Sequence, residues 1–155
     1  MGRMDYFHDP AAPAANSLVV GASAVITDGE GRILLHRRAD SGNWALPGGA
    51  MELGGTLTGC AIREVREETG FDVRIDRIIG IYSDPGHVFA YDDGEVRQEF
   101  SICLACTITG GALAVSSEST GVRFAAVGDL PALQIHPSIR TRIQDYLSGQ
   151  APVLR

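Results

Sequence analysis

Runs of apolar residues, broken by Gly, Pro and Asp clusters, divide the chain into short elements. Residues 17–27, SLVVGASAVIT, form an apolar, partly β-branched run that predicts a buried strand. DGEG follows as a turn and GRILLHR as a second strand, so the two are expected to form a hairpin. WALPGG reads as a short strand stopped by Pro47, Gly48 and Gly49. Over 56–69 the spacing changes: Leu57, Ala61 and Val65 recur every fourth residue, which predicts a helix with Thr56 as N-cap and Gly70 closing it. VRIDRIIGIYSDP and HVFAY are predicted strands, and Asp93-Gly94 a hairpin turn leading into a long strand, VRQEFSICLACTITGG. VRFAAV is another strand. DLPAL is expected to be a short helical turn capped by Asp129, and HPSIRTRIQDYLSG an amphipathic helix with Ile139, Ile143, Tyr146 and Leu147 on one side. Strands, one helix, more strands and a last helix make a mixed α/β layout rather than a βαβ repeat.

The length, 155 residues, suits one domain, and a 45% hydrophobic composition suits a real core. The first residues, MGRMDYFHDPAAPAANS, read as an N-terminal arm over 1–16 with a Pro/Ala-rich hinge, ahead of a domain over 17–155. The arm is a candidate for packing on a second subunit in a homodimer. The net charge of −6 argues against nucleic acid or an anionic membrane as partner, but not against phosphorylated small molecules held through a cation. No stretch is apolar enough to span a bilayer and the N-terminus lacks a signal-peptide core, so a cytoplasmic protein is expected. Cys103 and Cys106 lie three apart in a strand, on opposite faces, and are expected to be buried free thiols rather than a zinc pair.

The chemistry concentrates in REVREETG, residues 63–70. On a helix, Glu64 shares a face with Glu67 and Glu68, and like charges at that spacing repel by a few tenths of a kcal/mol per pair. Either the face is solvated or a cation sits there. Leu57, Ala61 and Val65 would pack on a sheet, turning the glutamates toward the Gly48-Gly49 loop. Carboxylates on a rigid helix beside accessible carbonyls suit Mg²⁺, which can neutralise a diphosphate and activate water.

Residues 48–71, GGAMELGGTLTGCAIREVREETGF, resemble the Nudix box of the Nudix hydrolase (MutT-like) family. Gly49 matches the opening Gly, and Arg63, Glu64, Val65, Glu67, Glu68 and Gly70 the later positions, with Phe71 for the final aliphatic residue. The flanking LLHRRAD and WALPGG agree, and the likeness runs from about residue 17 to the end. The resemblance implies an αβα sandwich around a mixed β-sheet. It implies hydrolysis of a nucleoside diphosphate linked to another moiety, with Mg²⁺ or Mn²⁺. By position, Glu64 and Glu68 would be the main metal ligands, with Glu67 assisting and the Gly48 carbonyl as a further ligand. Arg63 would hold the carboxylates in place, and Arg38 would meet a substrate phosphate.

The chain departs from the pattern at Gly55, where the family has Glu. Gly59 likewise stands where a capping box has Glu or Gln, at a cost of roughly 1 kcal/mol against Ala. Glu52, on the same loop and on the substrate side, and Glu118, in SSESTG, are the candidates to supply the missing carboxylate, Glu118 as ligand or base. Tyr82, His87, Phe89 and Tyr91 are candidates for stacking on a base, with strand-core packing as the plain alternative. The substrate is expected to be a nucleoside triphosphate, an oxidised one included, or a nucleotide sugar such as ADP-ribose. The other reading is a degenerate module that binds nucleotide or a partner without turnover.

Overall fold

A computed structural model describes residues 2–150 and 152–155. In order the elements are β1 (Arg3–Phe7), β2 (Ser17–Ile26), β3 (Ile33–Arg38), β4 (Trp44–Ala45), β5 (Gly48–Ala50), α1 (Leu57–Thr69), β6 (Phe71–Tyr82), β7 (His87–Tyr91), β8 (Val96–Gly111), β9 (Ser119–Ala125), a 3₁₀ turn (Val127–Ala132), α2 (Pro137–Ser148) and β10 (Val153–Leu154).

The long strand β8 organises the larger sheet. Along one edge it pairs in parallel with β2, from Ser17↔Arg97 to Ile26↔Cys106. Along the other it pairs antiparallel first with β7 and then with β6. The path across this mixed sheet is β1-β7-β8-β2-β5. A smaller sheet, β4-β3-β9, packs beside it. Cys60, Ala61 and Val65 of α1 bury against Ala22, Ala24 and Leu104 on one face. Ile143 of α2 joins Val25, Leu35, Cys103 and Ala125 on the other. The result is an αβα sandwich. Cys103 and Cys106 fall in opposite cores, as a three-residue step along a strand requires, and all three cysteines are free and buried.

Three local features differ from or add to what the sequence predicts. First, β2 and β3 do not form a hairpin. Only the Thr27↔Ile33 bridge joins them, because β2 is taken by β5 and β8 while β3 pairs with β4 and β9. Each strand thereby has its backbone hydrogen-bonded along both edges, which a hairpin between the two would not provide, so sheet pairing wins over chain adjacency. Second, residues 3–7 of the N-terminal arm are ordered as a strand. β1 lies antiparallel on β7 of its own chain, from Arg3↔Tyr91 to Phe7↔His87. Third, Asp129 does not cap the 3₁₀ turn. Ala126 occupies the cap with no side-chain hydrogen bond, and Asp129 sits in the first turn.

Candidate active site

Thr56 starts α1 as expected: its Oγ1 accepts the Gly59 N–H at 3.0 Å. Gly70 ends it in the left-handed region at φ 82°, its N–H on the Arg66 carbonyl. The cap works without the return half of a capping box. Between these ends the register turns Glu64 and Glu68 toward β5, where two glycines leave room for them. A Cβ on Gly49 would lie 2.5 Å from the Glu64 carboxylate, and one on Gly48 would lie 2.2 Å from the Ala22 carbonyl oxygen. Neither glycine is needed for its backbone angles. Both are needed because nothing larger fits.

Glu68 is the anchored member of the pair, 5% exposed. Its Oε2 accepts the Gly48 N–H at 3.1 Å and lies 3.1 Å from His36 Nε2. His36 is itself buried, with Nδ1 2.8 Å from Ser119 Oγ. A neutral imidazole protonated on Nε2 satisfies both contacts, donating to Glu68 and accepting from the Ser119 hydroxyl. Burial, aided by the Arg38 charge, pushes the His36 pKa down to about 4 and keeps it neutral. Burial pushes the Glu68 carboxyl up to about 8, against the Gly48 hydrogen bond and with the neighbouring Glu64 charge adding to the rise. Burial raises Glu64 as well, against the pull of Arg63. Two carboxylates pressed together with raised pKa values are short of positive charge, as a cation site is before it is filled.

Arg63 gathers the remaining acids. Its Nη1 lies 3.1 Å from Glu64, 3.3 Å from Glu67 and 3.8 Å from Glu52, and its Nη2 donates to the Ala50 carbonyl at 3.4 Å. Glu67 and Glu52 are otherwise exposed. Arg38 forms a two-pronged pair with Asp40, at 2.9 and 2.6 Å. Glu118 is exposed, on a loop tied down by its carbonyl, which accepts the Ala39 N–H at 2.9 Å. Its charge bears on both Arg38 and Glu64. The loop therefore holds Glu118 within electrostatic reach of Glu64, next in sequence to the Ser119 that holds His36. Gly55 sits in a turn, its N–H on the Glu52 carbonyl at 3.0 Å, and the positive φ in that turn belongs to Gly54. Glu64 and Glu68, beside a backbone stripped of Cβ atoms, offer carboxylate oxygens of the kind a hard divalent cation takes, with Glu67 farther out on Arg63.

A cleft of about 340 Å³ opens from Gly48 and Gly49 across the larger sheet, with Arg38 and Asp40 on its wall. His87, Phe89 and Tyr91 line it as alternate residues of β7. Tyr82 does not. It is buried in the core, its hydroxyl donating to Asp145 Oδ2 at 2.8 Å. The expectation that Tyr82 stacks on substrate is corrected: the alternation along β6 turns it under α2. The far end is closed by β1. There Asp5 Oδ1 lies 2.8 Å from His87 Nε2, and the His87 and His136 rings stack with centroids 5.1 Å apart. His36, Asp5, His136 and the buried Arg142 of α2 were not singled out from sequence. His36 lies in the predicted strand GRILLHR, where a lone His among apolar residues carries no periodic signal. The others come together only through the pairing of β1 with β7 and the packing of α2 over the sheet.

The NUDIX domain profile matches residues 17–146. A "MutT-like protein" of Streptomyces ambofaciens is 33% identical over 136 residues, which cover 88% of this chain and 81% of that one. A "Putative 8-oxo-dGTP diphosphatase" of Bacillus subtilis is 31% identical over 133 residues, covering 86% and 83%. An ADP-ribose pyrophosphatase structure from Streptococcus suis superposes with a TM-score of 0.68 at 22% identity, over 88% of this chain and 98% of that one.

Proposed function

Because the chain belongs to the NUDIX domain family and is a hydrolase of pyrophosphate bonds, we propose that it cleaves a nucleoside diphosphate linked to another moiety, with Mg²⁺ or Mn²⁺. The observation that carries the reading is the pair Glu64 and Glu68, held side by side on α1 with raised pKa values against a glycine-only backbone. Glu64 and Glu68 hold the metal, with Glu67 and the Gly48 carbonyl as further oxygen donors. The metal supplies charge neutralisation for the diphosphate and a lowered pKa for attacking water.

The chain's own residues do the rest. Gly48 and neutral His36 fix one oxygen of Glu68, and Ser119 fixes His36. Arg63 holds Glu64 and Glu67 in register and keeps their mutual repulsion from splaying them. Glu118, on its tied loop, takes the proton from water as general base, in place of the carboxylate absent at position 55. Arg38 exchanges Asp40 for a substrate phosphate, which a guanidinium grips with the same two prongs. Glu52, on the Gly55 loop and 3.8 Å from Arg63, is a further group to meet the substrate. The substrate is a nucleoside triphosphate, an oxidised one included, or a nucleotide sugar such as ADP-ribose: one relative is named for 8-oxo-dGTP and another, from Methanocaldococcus jannaschii, for ADP-ribose. No helix among the described residues is long and apolar enough to cross a membrane, and we place the protein in the cytoplasm, where three free thiols stay reduced.

Gly55 favours a second reading, a module that binds nucleotide without turnover. A substrate panel separates the two: nucleoside triphosphates, their oxidised forms and nucleotide sugars, with Mg²⁺ or Mn²⁺, followed by release of phosphate through a coupled phosphatase. Turnover of at least one is expected. Binding without turnover across the panel would select the second reading.

A further inference from the structure

Strand pairing, not chain order, builds the floor of the cleft. Side chains alternate between the faces of a strand, and the ladders set Gly21 of β2 beside Ser101 of β8, and Phe89 of β7 beside Asp5 of β1, all lining the cleft. α2 lies over this floor and lowers Arg142 into it.

Arg142 is 4% exposed. A guanidinium carries five N–H donors. Here a single long contact serves them, from Nη2 to Glu99 Oε1 at 3.4 Å. Its Nε–H has no partner among the described residues. The group is nonetheless held in place, lying 4.7 Å over the Tyr82 ring, whose hydroxyl is tied to Asp145. A buried cation with so little compensation is costly, and buried polar groups in proteins nearly always have partners. The other buried side-chain atom without a partner among the described residues is Ser23 Oγ, and Ser23 lines the same cleft. A second guanidinium, Arg3 of β1, lies there too, 4.3 Å over the Phe89 ring. Both unpartnered groups and both guanidinium groups thus point to a ligand with negative charge.

We propose that Arg142 anchors a second anion subsite on the cleft floor. It takes a phosphate-class oxyanion of the substrate, apart from the phosphate that meets the metal at Glu64 and Glu68. The planar fork of Arg matches such an anion with two parallel hydrogen bonds, and Tyr82 beneath it fixes the plane in advance. Glu99 is then the placeholder that the anion displaces. The identity of the substrate rests on the hydrolase reading above. The binding of an anion does not.

The test is calorimetric titration with inorganic pyrophosphate at low ionic strength in excess chelator, so that neither metal nor hydrolysis contributes. Wild type is expected to bind, Arg142→Gln to bind at least about tenfold more weakly, and Arg142→Lys to fall between. Glu99→Gln keeps Arg142 and removes its competitor, so it is expected to bind more tightly than wild type. In turnover of the best panel substrate, Arg142→Lys should raise KM several-fold with kcat near wild type. Absence of binding by wild type, equal binding by Arg142→Gln, or a folded Glu99→Gln that binds no more tightly would each overturn the subsite.

Discussion

His36 Nε2 lies 3.1 Å from Glu68 Oε2, and both side chains are out of water. One is a neutral imidazole and the other a carboxyl whose pKa has been pushed up to about 8, so the contact is a hydrogen bond rather than an ion pair at neutral pH. It holds the proposed metal ligand in place without spending that carboxyl's charge on a fixed cation.

Replacing that carboxylate tests the metal assignment directly. Glu68→Gln keeps the shape and one oxygen for Gly48 and His36 but removes the charge. Turnover at saturating Mg²⁺ is expected to fall at least about a hundredfold with the fold retained. Circular dichroism checks the fold, and a folded mutant with wild-type turnover would remove Glu68 from the site.

The same residue sets a pH dependence of stability. A carboxyl with a raised folded-state pKa binds more protons folded than unfolded, so its contribution is lost as pH rises toward 8. His36, with a lowered pKa, works in the opposite sense, but only between about 4 and its unfolded value near 6.5. Above pH 6.5 the His36 effect is complete while the Glu68 effect continues, in the same sense as that of the raised carboxyl of Glu64 beside it. The metal-free protein should lose on the order of 1–2 kcal/mol across that window, a drop in melting temperature of a few degrees. Glu68→Gln should flatten the slope. A metal-free wild type whose melting temperature rises from pH 6.5 to 8 would contradict it.

Gly55 offers the converse experiment. Its φ is ordinary, and a Cβ there would meet only the Glu52 carbonyl oxygen, at 3.2 Å. Gly55→Glu should therefore fold, and should raise turnover about tenfold if the site lacks a carboxylate here. A folded variant with equal or lower turnover would show that the group is supplied elsewhere. Glu118→Gln would then lower kcat by about a hundredfold or more, leaving metal affinity near wild type.

Gly48→Ala and Gly49→Ala should fail in different ways. A Cβ at position 48 collides with backbone, the Ala22 carbonyl at 2.2 Å, and is expected to cost over about 2 kcal/mol of stability. At position 49 it meets the Glu64 carboxylate, a side chain that can move. Gly49→Ala should keep most of its stability and lose metal affinity, read by Mn²⁺ titration. The reverse pattern would misplace the carboxylate cradle.

Sequence spacing was a good guide where the signal is local. The α1 period, the Thr56 cap and the Gly70 terminus needed only neighbours, and the observed helix starts one residue after the expected cap. The opposite burial of Cys103 and Cys106 followed from strand alternation alone. What escaped was non-local. The β2–β3 hairpin failed because sheet partners lie far away in sequence. Tyr82 looked like a stacking residue until α2 was placed over it. Arg142 and Asp5 are unremarkable letters until a helix and an edge strand bring them to one cleft.

The edge position of β1 has an evolutionary consequence. The strand supplies Arg3 and Asp5 to the cleft yet lies outside the segment that carries the carboxylates, and it is fastened to β7 by a simple antiparallel ladder. Changes within those five residues can reshape what the cleft accepts while α1 and its glycine bed stay untouched. A change of preference made there can proceed in small steps that leave the proposed metal-holding helix as it is.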